Sequence, residues 1–461
     1  MRKAGDQGIQ YFPSIVETIG RTPLIRLARV ARGLKPLVLA KVESFNPGGS
    51  VKDRIGVSII DSAERSGKLK PGGTIVEATS GNTGVGLALV AATRGYKLIC
   101  CMPDKMSQEK INLLKAYGAD VHIAPTAVPP DHPDSYYEVA KRLAREIPGA
   151  FHANQYYNPD NPRAHYETTG PELWEQTGGQ IDVFVAGMGT GGTISGVGKY
   201  LKEKNPKVQI VGADPAGSIL CEYFYTKQMG HARTYKTEGI GEDIIPGSTW
   251  FEYIDRVVTH NDHEAYNWAR RVSREEGILL GSSGGAAIAV AIKVAEELDE
   301  RHVLVVLLPD TGERYLSKVH SDAWMRDNRL LDAHFVKVGE VLRRKSSEVP
   351  ALVAVAESDH VRVALDLFKR YNISQLPVRR NGEIVGCVDE SAIMSRVLED
   401  AHALNTPVSR IMDKPLMRIT TEDSVDQAIK LLAGRNAVLV DESGEARGIL
   451  TRIDLIEYVA V

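Results

Sequence analysis

Gly48-Gly49-Ser50-Val51-Lys52-Asp53-Arg54 lies between an apolar run, Leu37 to Val42, and a helical pattern that begins near Ile55. The run reads as a buried strand, and two adjacent glycines let the backbone turn sharply behind it. Ser50 is placed to cap the helix. Lys52 is the unusual residue. A cation in the first turn of a helix opposes the macrodipole, at a cost of a few tenths to about 1 kcal/mol. The same field, with partial burial, lowers the amine pKa and makes it a nucleophile. Strand, glycine turn and helix with a reactive lysine at its start is a unit of an α/β fold, with chemistry at the carboxyl end of the strand.

From about residue 10 to 325 the same alternation repeats. Short β-branched runs (Thr74-Ile75-Val76, Lys97-Leu98-Ile99-Cys100, Asp182-Val183-Phe184-Val185, Gln209-Ile210-Val211, His302 to Leu307) are separated by helical stretches. This predicts a mostly parallel sheet covered by helices on both faces. Three further joints are rich in glycine and hydroxyls. Glu77-Ala78-Thr79-Ser80-Gly81-Asn82-Thr83-Gly84 enters a helix over 85–93. Gly187-Met188-Gly189-Thr190-Gly191-Gly192-Thr193 opens a helix that runs to Lys204. Gly281-Ser282-Ser283-Gly284-Gly285 enters a helix over 286–298. Four such joints in one domain imply several anionic groups held at helix N-termini. Pro125 to Pro133 reads as a surface loop, and so does the polar, aromatic stretch from Asn154 to Tyr166.

A chain of 461 residues is too long for one core and predicts two or three domains. With 43% apolar and 25% charged residues it has a globular composition, and a net charge of −3 without a basic block gives no footprint for nucleic acid. Met1 to Gly8 is polar, unlike a signal peptide, and no apolar run reaches the roughly 18 residues of a membrane span. Cys100, Cys101, Cys221 and Cys387 form no C-x-x-C pair, so neither a metal site nor a disulfide framework is expected. These features predict a cytoplasmic, reduced protein.

Charged residues Arg326-Asp327-Asn328-Arg329 mark a boundary, giving a front domain over 1–328, a linker over 329–348 and a tail over 349–461. The tail repeats itself, over about 349–400 and 406–461, with Gly386 and Gly448 at matching places. Each unit is too small to bury much apolar area alone, so the two are expected to pack as a pair.

Two readings compete for the third joint. Gly187 to Gly192 fits G-x-G-x-x-G, and Asp214 ends the next run about 20 residues later, as in a dinucleotide-binding dehydrogenase. That reading gives no reason for the other three joints. Alternatively, Gly189 to Thr193 forms a cup for one phosphate monoester, which leaves work for Lys52, Asn82 and Ser283. Phosphate plus lysine suggests pyridoxal 5′-phosphate, whose aldehyde condenses with an amine. A neutral serine at its ring nitrogen would favour loss of a β-substituent over transamination.

Ser50 to Arg54, Thr79 to Gly84, Gly189 to Thr193 and Glu238-Gly239-Ile240-Gly241 resemble the fold-type II pyridoxal-phosphate β-replacement enzymes, in order, over most of residues 10 to 325. Within that family the chain is most similar to the cystathionine β-synthase branch. Asn161-Pro162, Ala164-His165-Tyr166 and Thr168-Thr169 agree, and the tail resembles a Bateman module of two tandem sensor repeats. The cysteine synthase branch is the nearest relative and usually lacks such a tail. The resemblance implies a tryptophan-synthase-β-like fold in which Lys52 carries the cofactor and moves protons at Cα and the leaving group. It implies that Asn82 meets the ring hydroxyl, Gly189, Thr190, Gly191, Gly192 and Thr193 the phosphate, and Ser283 the ring nitrogen. Thr79, Ser80, Gly81, Thr83 and Gln155 would bind the substrate carboxylate, with Tyr156 and Gly239 in the same pocket. The implied reaction joins serine and homocysteine into cystathionine, with cysteine or O-acetylserine as rival donors and a homodimer or higher homo-oligomer as the assembly.

Haem, carried on an N-terminal extension in animal members, is not expected. Glu242 stands where some relatives have tyrosine, and a carboxylate there either pairs with the amino group of a second amino-acid substrate or is simply solvated. In the tail, Gly448 to Asp454 resembles an adenosyl-ligand signature with Thr451 and Asp454 as contacts, which Gly386 to Ala392 has lost. A tail that only joins subunits, and a non-catalytic adenosyl-nucleotide sensor with a relic front domain, are the remaining readings.

Overall fold

The computed structural model describes residues 10–79, 81–104, 106–129, 131–332, 336–345, 350 and 352–460. They form two compact units, one ending at Leu330 and the other beginning at Leu331. Residues 1–9, read above for a leader, lie outside the described residues.

The described residues of the first unit hold ten strands: β1 (Leu24–Arg26), β2 (Leu37–Val42), β3 (Thr74–Ala78), β4 (Lys97–Pro103), β5 (Asp120–Ala124), β6 (Phe151–His152), β7 (Val183–Gly187), β8 (Gln209–Pro215), β9 (Arg256–His260) and β10 (Val303–Leu308). Six line up as β1-β2-β10-β7-β8-β9, antiparallel only between β1 and β2. The other four line up as β5-β4-β3-β6, wholly parallel. Helices between successive strands impose this parallel pairing, and the apolar runs of the sequence become the strands buried on both faces. Helix Ser282–Ala295 is buried along nearly its whole length. Its alanine, glycine and β-branched composition suits an element covered on all sides.

Glycine decides how the site's helices meet. Helices Lys52–Arg65 and Asn82–Arg94 cross at Gly56 and Gly86, where a Cβ on either residue would strike the other helix's backbone. This close crossing brings the N-termini that carry Lys52 and Asn82 together.

Helix Lys52–Arg65 starts three residues before the predicted position. Val51 rather than Ser50 holds the cap position, and the turn is closed by Ser50 Oγ accepting from the Lys52 amide at 3.2 Å. The Asp53 carboxylate accepts from the Gly48 amide at 2.5 Å. These polar contacts precede the apolar pattern, which is why periodicity placed the start too late. The stretch from Asn154 to Tyr166 is not all loop: Asp160–Ala164 is helical and continues into wide π-type turns at His165–Thr169. Pro162 falls in the first turn of that helix, where proline removes no intrahelical hydrogen bond.

In the second unit, three-stranded sheets Val355–Ala356, Gln375–Arg380, Glu383–Asp389 and Arg418–Thr420, Ala437–Glu442, Glu445–Thr451 repeat one design. Gly386 pairs with Val378 and Gly448 with Val440, each hairpin slipping register just beyond that pair. The predicted linker is partly structured. Val336, with Val338 and Val341 from the helix Val338–Arg344 that follows it, enters the core of the second repeat, and Val408 enters the core of the first. Each repeat is completed by the segment leading into the other, because neither closes its apolar core alone.

Candidate active site

Lys52, Asn82, Thr83, Gln155, Tyr156, Thr190, Gly239 and Glu242 line one cleft of about 540 Å³ between the two sheets of the first unit. Lys52, Asn82, Thr83, Gln155, Tyr156 and Thr190 lie beyond the carboxyl end of a strand, whereas Gly239 and Glu242 come from the irregular stretch between helix Leu220–Thr226 and Phe251. Burial pushes the Lys52 amine down to about 8, against the pull of Glu242 and Asp310. The Asn82 amide donates to Asp310 Oδ2 at 2.8 Å and accepts from Arg314.

The loop before helix Gly192–Lys204 is shaped from behind. Ser248 Oγ and Thr249 Oγ1 donate to the Thr190 carbonyl at 2.6 and 3.2 Å, and Asn161 Nδ2 donates to Thr190 Oγ1 at 3.1 Å and to the Gln155 carbonyl at 2.8 Å. In a planar trans peptide this carbonyl direction sends the Gly191 N–H the opposite way. Among the described residues no group accepts from the amides of Thr190, Gly191, Gly192 or Thr193. Unpaired amides at a helix N-terminus suit a phosphate monoester. The Thr193 hydroxyl is 3.3 Å from His165 Nε2, and burial holds that imidazole neutral by driving its pKa well below the usual value.

Ser283 is buried behind the open cleft. The space that a Cβ on Gly239 would occupy (φ +85°) opens towards its hydroxyl, 3.9 Å away. An amine, a ring of unpaired amides and a cleared space before a serine hydroxyl together suit pyridoxal phosphate.

The predicted carboxylate-binding residues are placed unequally. Thr83 Oγ1 donates to Gln155 Oε1 at 2.6 Å, and Gln155 Nε2 donates to the Ala78 carbonyl at 3.1 Å, so both belong to one network on the cleft wall. Thr79 Oγ1 is turned to its own loop, accepting from the Gly81 and Gly84 amides at 3.0 and 3.3 Å. Ser80 lies outside the described residues. The Tyr156 hydroxyl is 3.3 Å from that of Tyr136. Glu238, ahead of Gly239, pairs with Lys110 at 2.6 Å and Lys318 at 2.7 Å. Burial alone would raise its pKa, but the two ammonium groups hold it below the ordinary value.

Asp310, Arg314, Tyr136, Ser248 and Thr249 were missed in the sequence. Only Asp310 carried a signal, at the carboxyl end of an apolar strand. The dinucleotide reading fails at Asp214: it is buried, accepts from the Cys221 amide at 2.8 Å and does not line the cleft. In the tail, Thr451 and Asp454 form a reciprocal capping pair. The Thr451 amide donates to Asp454 Oδ2 at 2.7 Å and the Asp454 amide donates to Thr451 Oγ1 at 3.4 Å, while Lys345 pairs with Asp454 at 3.0 Å. Asp389, at the matching place, caps its own helix through the Ala392 amide.

Among the described residues no group of metal-binding side chains is found, and no helix is long and apolar enough to cross a membrane. Residues 15–310 match the family described as pyridoxal-phosphate dependent enzyme, and 338–399 and 408–461 match the CBS domain. The chain is 40% identical to cystathionine beta-synthase of Oryctolagus cuniculus over 97% of its length and 85% of that protein. It is 38% identical to cystathionine beta-synthase of Dictyostelium discoideum over 97% of its length and 92% of that protein. Among solved structures, an O-acetylserine dependent cystathionine beta-synthase from Helicobacter pylori is similar at TM-score 0.62 and 38% identity, covering 67% of this chain and 99% of that one. O-ureido-L-serine synthase is similar at TM-score 0.62 and 41% identity, over 68% and 99%. A fold-type II architecture, a lysine-bearing cleft and paired tail repeats thus converge: the chain belongs to the pyridoxal-phosphate dependent enzymes, in the cystathionine beta-synthase family, with two C-terminal CBS domains.

Proposed function

We propose that this chain replaces the β-hydroxyl of L-serine with the thiol sulfur of L-homocysteine, releasing L-cystathionine and water. The observation that carries the reading is the meeting, in one cleft, of a lysine amine lowered to about 8, unpaired helix-start amides and the Glu242 carboxylate.

Bound cofactor would withdraw electron density from the substrate Cα, easing loss of its proton and of a β-substituent. The Lys52 amine would take the Cα proton and, as ammonium, return one to the departing hydroxyl. Asn82 would donate to the ring hydroxyl, Ser283 would meet the ring nitrogen without charging it, and Gly189 to Thr193 would hold the phosphate. Thr79, Ser80, Gly81, Thr83 and Gln155 would receive the substrate carboxylate at the start of helix Asn82–Arg94, where the backbone favours an anion. Tyr156 would wall the pocket and Gly239 would leave it room. Glu242 would pair with the α-amino group of homocysteine, a group that sulfide lacks.

A second reading, O-acetylserine with sulfide, is favoured by the donor named for the Helicobacter pylori relative. Cysteine as donor would release hydrogen sulfide, the product named for a similar enzyme from Fusobacterium nucleatum. Product analysis separates these readings. Serine plus homocysteine should yield cystathionine; cysteine formed only from acetylserine and sulfide would overturn the first. For the tail we propose one adenosyl site at Thr451 and Asp454, tested by calorimetric titration with adenosine monophosphate and with S-adenosylmethionine. A ligand must compete there with Lys345 for the Asp454 carboxylate.

A further inference from the structure

One buried carboxylate beside Lys52 has no role in the reaction so far. Asp310 follows β10 and is 1% exposed. The backbone fixes it against the lysine's own turn: the Val51 amide donates to the Pro309 carbonyl at 2.8 Å, the Thr311 amide donates to the Gly49 carbonyl at 3.2 Å, and Ser50 and Asp310 form an antiparallel bridge. Oδ2 accepts from Asn82 Nδ2 at 2.8 Å and from the Tyr315 hydroxyl at 2.6 Å. Oδ1 has no hydrogen-bond partner among the described residues, and it lies beside Gly281, at the start of helix Ser282–Ala295.

Arginine only donates and an ionised carboxylate only accepts, so Arg314 and Asp310 together fix which way the Asn82 amide points. Its oxygen is occupied, and one Nδ2 hydrogen is left for a ligand oxygen. After Glu242, the carboxylate that fixes the amide is the second negative charge acting on Lys52.

Resting on the cofactor reading of Lys52 and Asn82, we propose that Asp310 is a positioning residue. It sets Asn82 as a donor towards the cleft, and, fixed against the lysine's own turn, it is one of the two counter-charges of the Lys52 amine. The ionisable groups facing this pair are Glu242 from the cleft loop, Arg314 and Tyr315 from the turn after Asp310, Asp53 from the lysine's own helix and His165 from the wide turns. All of them remain when only Asp310 is changed.

The test uses the full chain stripped of cofactor. Reaction of Lys52 with acetic anhydride is followed against pH by peptide mapping, with exposed Lys227 as internal control. Asp310→Asn keeps an acceptor for Asn82 and removes the charge. Its Lys52 midpoint should fall by about half a pH unit or more, as loss of a nearby opposite charge requires, while Lys227 stays put. Tyr315→Phe leaves the carboxylate with one hydrogen bond fewer and should move the midpoint upward, which keeps the idea testable if the first variant fails to fold. On reloading with pyridoxal phosphate, Asp310→Ala should bind it about tenfold more weakly than Asp310→Asn, having lost the acceptor as well. An unmoved Lys52 midpoint in either folded variant overturns the proposal. Failure of the cofactor reading would show separately, as a shifted midpoint in a protein that takes up no cofactor.

Discussion

The Lys110 ammonium stands 2.6 Å from the Glu238 carboxylate, both almost fully buried, and joins the helix Gln108–Ala116 beside the four-stranded sheet to the loop that lines the cleft beside the six-stranded one. Lys318 meets the other oxygen at 2.7 Å. Glu238→Gln leaves a buried ammonium without its counter-charge, a change that costs about 3–5 kcal/mol in comparable buried pairs. Denaturant unfolding should show a loss of that order, with a raised KM for both substrates because the loop from Gly239 to Glu242 loses its anchor. Unchanged stability would mean that the pair does not hold the cleft together.

Asn161 ties the Gln155 carbonyl to the Thr190 hydroxyl from behind the proposed phosphate cup. Asn161→Ala should leave the fold intact and weaken retention of pyridoxal phosphate about tenfold, roughly 1.4 kcal/mol, read by absorbance after dialysis. Full retention would show that the cup shapes itself without Asn161.

Glu242→Gln distinguishes the two thiol acceptors. With homocysteine, KM should rise about tenfold or more from loss of the charge pair. With sulfide, which has no amino group, it should hardly move. An equal rise with both would assign Glu242 to the pocket in general.

Burial pushes the Glu77 carboxyl from its ordinary 4.5 up to about 8. The native state therefore keeps a proton that the unfolded chain gives up. The stability this contributes is complete below about pH 4.5 and is lost as pH rises through about 8. Glu77→Gln retains the oxygen that accepts from the Gln155 amide and cannot ionise. Its thermal midpoint relative to the parent should therefore improve by a few degrees between pH 6 and pH 9. A constant difference across that range would place the ionisation elsewhere.

The sequence made the strands, the four glycine-rich joints and the repeated tail legible, because each is a local pattern of period or backbone freedom. Lys52, Asn82 and Thr190 stand in those joints, Gly239 was reached through the family resemblance, and all four line one cleft. Arg314, Ser248 and Thr249 were not legible, since their work lies in contacts with carbonyls some 60 to 270 residues away that no local pattern encodes. Thr79 shows the converse limit: its place in the joint was correct, but a hydroxyl's direction depends on which backbone amides lie within reach. The predicted linker was mistaken because Val336, Val338 and Val341 find their apolar partners in a repeat that comes later in the chain.

The central claim is that the Lys52 amine is the covalent attachment point of pyridoxal phosphate. Borohydride reduction of freshly purified, yellow protein, followed by peptide mapping, should place the reduced cofactor on Lys52 and on no other lysine. A coloured preparation in which Lys52 is recovered unmodified, or in which the label sits on a different lysine, would contradict it.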